Sequence, residues 1–493
     1  MNILLHVSDL LHYKQCPRLA WNWKNNKPSI ESFYHMDCSF SSLYTQFLHI
    51  ENYGQGKTGD SNEVTMELIE KNEYVLNARL EYKECRTNIP VIHKLENGIQ
   101  IIYPFLSAYP KEFEATKMKI NQLICEHCGL EVVDTRIIYI NKDYIRQDSL
   151  DLNQLFFTSD CLFNKRNHPG KKIKEYIESV EIDLDEWIAQ TKEVLFGQCP
   201  ELKRTKQCTA GRRCRFYEEC FDESKEPDDS TLFLTTSQYK LDAYYSGIQH
   251  IKDMPLDKLE GYRLQYAQYM ASKNGQFLDR SAIIPWLQQI KYPISYLDFE
   301  WDTFAIPPYQ NMKPFDVLCF QYSLHVEYSK KPLKHFNFFD VGDCRKKFVE
   351  SLIHDIPKRG SILVYNMEGA EKLRLMQLSM QFPEYKKQLI SICNRMIDLS
   401  KPFETGCFYD NRMRGHYSLK KLLPVFTDDI SYTDLSIQNG LNAVWIYRTF
   451  EQSNQEDKEK IRNDISTYCA LDTYAEYVVY HGLLKKIKEI KNA

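Results

Sequence analysis

The 493-residue chain lacks any run approaching ~18 uninterrupted apolar residues, which argues against a transmembrane helix. Its opening, MNILLHVSDLLHYKQCP, lacks a basic segment followed by a long apolar stretch, so no secretory leader is expected and a soluble cytoplasmic protein follows. Excess charge is missing too: 63 basic against 67 acidic side chains leave a net charge of −4, so any nucleic-acid surface must be local. Tandem repeats and low-complexity tracts are absent. Cysteine is not scarce, but its count of fifteen is odd, and Cys319, Cys393 and Cys469 sit in apolar runs as buried reduced thiols do. At this length a disulfide framework is disfavoured, and clustered cysteines are first tested as metal ligands.

What is present suffices for two or three folded units, with 43% hydrophobic and 13% aromatic residues to build cores. The charged stretch DESKEPDDS at 222–230 shows no apolar periodicity and reads as a break. The expected organisation is a first α/β domain over 1–221, a linker over 222–231, a helical connector over 232–290 and a second α/β domain over 291–493. In the last domain PISYLDFEW, VLCFQYSLHVEY and LKHFNFFDV read as successive strands, followed by a helix, the strand GSILVYN and further helices. That pattern predicts a mixed sheet covered by helices.

ISYLDFEWD places two acids inside an apolar strand. Side chains at i and i+2 share a face, so Asp298 and Glu300 project together while Leu297 and Phe299 point the other way. A strand end with solvated acids is the plain explanation; a cation between the carboxylates is the chemical one, and oxygen ligands suit Mg²⁺ or Mn²⁺. Further acids favour the second. Glu371 opens a predicted helix after GSILVYN. In YCALDTYAEYVV, Tyr468 and Asp472 stand at i and i+4, and Asp472 interrupts an apolar face, where a carboxylate needs a partner.

This constellation resembles the DEDD exonucleases in their tyrosine form. The resemblance implies a ribonuclease H-like fold, 3′–5′ hydrolysis of DNA or RNA, two metal ions held by Asp298, Glu300, Glu371 and Asp472, and Tyr468 orienting the attacking water. The second motif departs from the usual pattern, since Ala370 stands four residues after Asn366 where an aspartate is common. Glu371 is the nearest substitute, Glu368 the other candidate, and Asp398 in RMIDL a supporting acid. The ordered segments YLDFEWDTFAIPPY, FQYSLHVE, RMIDLSKPF, GHYSLKKLLPVF and YCALDTYAEYVV also resemble, over roughly 290–490, a bacterial family catalogued as domain of unknown function 2779.

In the first half, Cys16 precedes Cys208, Cys214 and Cys220, the last three spaced C-x5-C-x5-C among basic residues. Such thiols could carry an iron–sulfur cluster or zinc. The context S-x-L-x-x-Y-x-x-C-P-R with three late cysteines resembles the iron–sulfur PD-(D/E)XK nucleases of CRISPR adaptation and of the AddAB helicase–nuclease. This implies a 4Fe–4S cluster clasping the ends of the domain. Cys125 and Cys128, in CEHC, have no second pair and read as packing thiols.

The acids and lysine of that nuclease family are missing. In the strand IQIIYPFLSAY, Tyr103 and Phe105 stand where Glu and Lys are expected, and Pro90 or Val91 near the expected aspartate. Glu112, Glu114 and Lys117 come later, in a predicted helix. The first domain is therefore expected to keep the fold without cleavage and to bind nucleic acid or a protein, with 165–174 and 203–215 as basic stretches that either touch phosphates or are simply solvated. Two functions are expected for the whole: an Mg²⁺- or Mn²⁺-dependent exonuclease, or a non-catalytic binding or scaffolding protein.

Overall fold

A computed structural model describes residues 4–26, 40–210, 213–432, 435, 437 and 440–489. It is a mixed α/β structure that divides after Phe221 into two compact units, with Ala305–Phe315 belonging to the first. No helix among the described residues is long and apolar enough to cross a membrane.

The first unit is built on a seven-stranded sheet: β1 (Leu5–His6), β2 (Gly54–Gln55), β3 (Tyr74–Tyr82), β4 (Cys85–Leu95), β5 (Gly98–Pro104), β6 (Val132–Ile140) and β7 (Phe156–Ser159). β3, β4 and β5 form an antiparallel meander. The connection between β4 and β5 depends on Gly98, which sits at φ +143° where a Cβ would lie 2.5 Å from the Glu131 carbonyl oxygen. β5 and β6 run parallel, so their connection must cross over, and the helix Glu114–His127 does so, burying Ala115, Met118, Ile120 and Ile124 in the core. A small hairpin, β8 (Cys161–Phe163) and β9 (Pro169–Lys172), follows.

The second unit carries the five-stranded sheet of β11 (Ile294–Thr303), β12 (Val317–Glu327), β13 (Lys334–Phe339), β14 (Ser361–Val364) and β15 (Met396–Asp398), in the order β13-β12-β11-β14-β15. β11, β12 and β13 are antiparallel, while β14 and β15 run parallel to β11. One face packs Leu297, Phe299, Tyr322 and Leu324 against Phe348, Val349 and Leu352 of the helix Arg345–Asp355. On the other, Ile294 and Tyr296 meet Val479, Tyr480 and Leu483 of the 35-residue helix Gln455–Glu489. With both faces covered, β12 is buried up to Glu327, its polar residues Gln321, Ser323 and His325 included.

Two stretches differ from expectation. Residues 232–290 contain the helices Arg263–Asn274 and Arg280–Leu287 but also β10 (Gln276–Leu278), which pairs with β16 (Phe408–Asp410). Leu264, Ala267, Ala271 and Ile283 join the core of the second unit, so apolar helical spacing here marks core packing rather than a connector. The charged stretch at 222–230 is likewise fastened to that unit. Arg414 donates to the carbonyls of Glu223 and Glu226 and to Asp228 at 2.6 Å, while Tyr244 donates to Glu226 at 2.7 Å. Its acids act as acceptors for distant donors, a role that local periodicity does not register.

Candidate functional site

β11 supplies the first two acids. Ile294, Tyr296, Asp298 and Glu300 alternate onto the face covered by the helix Gln455–Glu489, and Asp298 and Glu300 are half-buried beneath it. β11 pairs with β14 only from Ile294 to Tyr296, so Asp298 and Glu300 lie where the parallel ladder has ended. On the helix the same change from apolar to acidic occurs one turn at a time: Leu483 and Val479 pack on the sheet, and Asp472 and Tyr468 continue that face.

The second motif enters from the loop after β14. Asn366 takes a left-handed turn at φ 60°, held because Asn366 N and Met367 N each donate to the Asp398 carboxylate at 3.1 Å. Asp398 also accepts from Ser400 N at 2.9 Å and Ser400 Oγ at 2.7 Å. With these bonds satisfied, Asp398 positions the loop. The turn feeds the helix Glu371–Gln381, whose first residue is Glu371, only 2% exposed. Glu368 stays outside, paired with Lys372 at 2.7 Å. Of the two alternatives, the structure brings Glu371 to the other acids.

Ligand atoms of Asp298, Glu300 and Cys469 all lie within 4.8 Å of one another. Burial pushes the Asp298 carboxyl well above its usual range, and repulsion from Asp472, Glu371 and Glu300 adds to this. Glu300 is driven up to about 7, by burial first and then by Asp472. Glu371 is likewise pushed well up by burial, with Asp398 and Glu300 contributing. Asp472 reaches about 6, also through burial, although a 2.7 Å hydrogen bond from Tyr432 and the influence of Lys420 and Tyr468 favour its charged form. Asp298, Glu300 and Glu371 are thus opposed by neighbouring carboxylates more than the nearby cations offset.

Tyr468 is 4% exposed, accepts from Lys420 Nζ at 3.5 Å and has its own hydroxyl held above its ordinary range by burial and by Asp472. It is therefore a neutral hydroxyl beside Asp472. Burial also pushes the Cys469 thiol well up, so this sulfur is protonated and acts as wall rather than as a ligand for a hard cation.

Sequence reasoning missed several participants. Lys420, at the start of the helix Leu419–Phe426, is the cation that lowers Asp298, Glu300 and Asp472. Gly440 leaves room for Glu300, since a Cβ there would sit 2.9 Å from Glu300 Oε2. Glu476 is completely buried, and the charged groups acting on it most are Asp298, Glu371, Asp472 and Asp398. Its signal was available, as it stands one turn beyond Asp472.

In the first unit, Cys16, Cys208, Cys214 and Cys220 line one cavity of about 220 Å³, with Arg18 and Lys203 also in its wall. Cys214 is influenced by Cys208 and Cys16, and Cys220 by Arg18, Cys214 and Cys16, so the four thiols face a common space. Asn22 donates to Cys220 Sγ at 3.6 Å and Thr205 N to Cys208 Sγ at 3.4 Å. Cys125 is buried in the core and Cys128 donates to the Glu81 carbonyl at 3.5 Å, so both pack.

On β5, Tyr103 is buried and accepts from Asn121 Nδ2 at 3.0 Å, while Thr87 Oγ donates to Asn121 Oδ1 at 2.5 Å. Neutral partners thus fill the place examined for an acid pair. Phe105 packs on the core, Val91 is buried on β4 next to half-buried Pro90, and Lys117 is exposed on the crossover helix that Glu114 begins just after Glu112. Lys165, Arg166, Lys171, Lys172 and Lys174 are exposed on or beside the β8–β9 hairpin, with Lys172 paired to Asp160 at 3.0 Å. In the basic stretch 203–215, residues 211 and 212 lie outside the described residues, and Arg213 stacks over Tyr217 at 4.0 Å.

Residues 295–418 match a family described as a domain of unknown function (DUF2779). The match includes Asp298, Glu300, Glu371 and Asp398 and ends before Lys420, Tyr468 and Asp472, a shorter span than the 290–490 suggested by the ordered motifs. Neither the curated proteins nor the solved structures contain a match to the chain.

Proposed function

We propose that the protein is a metal-dependent nuclease, a 3′–5′ exonuclease acting on DNA or RNA through the second unit, whose mixed sheet we assign to the ribonuclease H-like class. One observation carries this reading: Asp298, Glu300, Glu371 and Asp472 converge from a strand, a helix start and a long helix while repelling one another. Glu371 Oε2 is buried without a hydrogen-bond partner, which suits an oxygen-ligand site for Mg²⁺ or Mn²⁺. Those four residues would hold the ions, which when bound supply Lewis-acid stabilisation and an activated water.

The protein's own groups divide the remaining work. Tyr468 keeps its proton at neutral pH and offers it to an oxygen beside Asp472. Lys420, next to Tyr468, presents positive charge to a phosphodiester. Asp398 keeps the Asn366 turn, and with it Glu371, in place. For the first unit we propose a PD-(D/E)XK-like domain that binds rather than cuts, closed by a 4Fe–4S cluster on Cys16, Cys208, Cys214 and Cys220. All four thiols border one cavity, and donors to two sulfurs would stabilise a thiolate-bound cluster.

The test is degradation of end-labelled single-stranded DNA and RNA in Mn²⁺ by the wild type, Asp298→Asn and Asp472→Asn. Shortening from the 3′ end should slow by about a hundredfold or more in either variant. Degradation untouched by both substitutions would overturn the assignment.

A further inference from the structure

Glu476 is completely buried, and neither Oε1 nor Oε2 has a hydrogen-bond partner among the described residues. Asp472 has Tyr432, and Asp398 has its four donors. Protonating Glu476 would remove its charge yet leave two buried polar atoms unsatisfied, which is itself destabilising. A helix face that needed only to pack would carry an apolar residue here, as Val479 and Leu483 do on the following turns. The Glu371 carboxylate shares this condition, with Oε2 buried and unpartnered.

Positive charge reaches these acids unequally. Lys420 offsets Asp298, Glu300 and Asp472. Glu476 is acted on chiefly by carboxylates: Asp298, Glu371, Asp472 and Asp398. Asp298 and Asp472 both act on Glu476, while Glu371 is opposed by Asp398 and Glu300 and eased by Arg374. A single cation beside Asp298, Glu300 and Asp472 would leave Glu371 Oε2 and both Glu476 oxygens without a partner among the described residues.

We propose that Glu476 is a metal ligand, which with Glu371 and a shared Asp298 forms a second divalent-cation position beside the one made by Asp298, Glu300 and Asp472. Two or three carboxylates are the usual protein share for Mg²⁺ or Mn²⁺, with water completing the shell. Glu476 thereby compensates for the aspartate absent at Ala370, supplying from the C-terminal helix an oxygen that the second motif does not. This inference rests on the metal-site reading of the second unit and adds Glu476 to its ligands.

Counting Mn²⁺ tests it without reference to turnover. The full chain, freed of divalent ions, is dialysed against Mn²⁺, and free ion is measured by electron paramagnetic resonance for wild type, Glu476→Gln and Glu371→Gln. The wild type should bind two Mn²⁺, and each variant should keep one while the other weakens at least tenfold. Glu371→Gln reads the same position should Glu476→Gln not fold. Two ions bound by Glu476→Gln with wild-type affinity would overturn the role of Glu476 and leave the nuclease reading standing. No Mn²⁺ uptake by the wild type would overturn both.

Discussion

Replacing Glu300 by glutamine should make the metal-free protein more stable at neutral and alkaline pH, although it removes a residue central to the site. Glu300 is raised from an ordinary 4.5 to about 7, by burial first and by Asp472 second. The folded state therefore holds a proton that the unfolded chain has already lost between about pH 4.5 and 7, so wild-type stability falls as pH rises through that window. Each pKa unit corresponds to about 1.4 kcal/mol, which makes the full penalty roughly 3 kcal/mol above pH 7. Glutamine keeps the shape and cannot ionise. For a unit of this size, about 2–4 °C per kcal/mol translates the difference into a melting point higher by on the order of 5–10 °C. Scanning calorimetry in EDTA at pH 4.5 and pH 8 measures it: the proteins should melt together at the lower pH and separate at the higher. Saturating Mn²⁺ should raise the wild type more than the variant. A Glu300→Gln protein that melts at or below the wild type at pH 8 in EDTA would refute the claim that Glu300 is a desolvated carboxylate opposed by its neighbours.

Two further outcomes bear on the rest of the chain. Purified protein should carry iron with broad absorbance near roughly 400 nm, lost on Cys214→Ser; equimolar zinc without iron would contradict the cluster assignment. Arg414→Ala should cost about 2–3 kcal/mol and expose 222–230 to limited proteolysis, because Arg414 fastens that stretch through bonds to Glu223, Glu226 and Asp228. An unchanged cleavage pattern and melting point would show that other contacts hold it.

Local spacing made part of the site readable. A strand repeats every two residues, so Asp298 and Glu300 could be paired on one face before any fold was known, and Leu297 and Phe299 assigned to the opposite core. A helix brings i and i+4 together, which joined Tyr468 to Asp472. The same rule reaches Glu476, but an acid on a helix is ordinarily solvated, and only the packing of that helix on β11 and β12 buries this one. Between Glu368 and Glu371 spacing could not decide. The Asn366 turn and its bonds to Asp398, thirty-odd residues on, set the helix start that turns Glu371 inward and leaves Glu368 with Lys372.

The sequence by itself determined the strand and helix periodicities, the acids that interrupt them, the thiol spacings and the absence of an acid pair on β5, because each is a property of near neighbours. Tertiary structure alone decided that 232–290 belongs to the core of the second unit, that Arg414 holds a stretch resembling a linker, and that Lys420 and Glu476 join the carboxylates. These depend on which surfaces meet across more than a hundred residues. Burial and charge opposition arise only at that meeting, and they separate a solvated acid from one opposed by its neighbours.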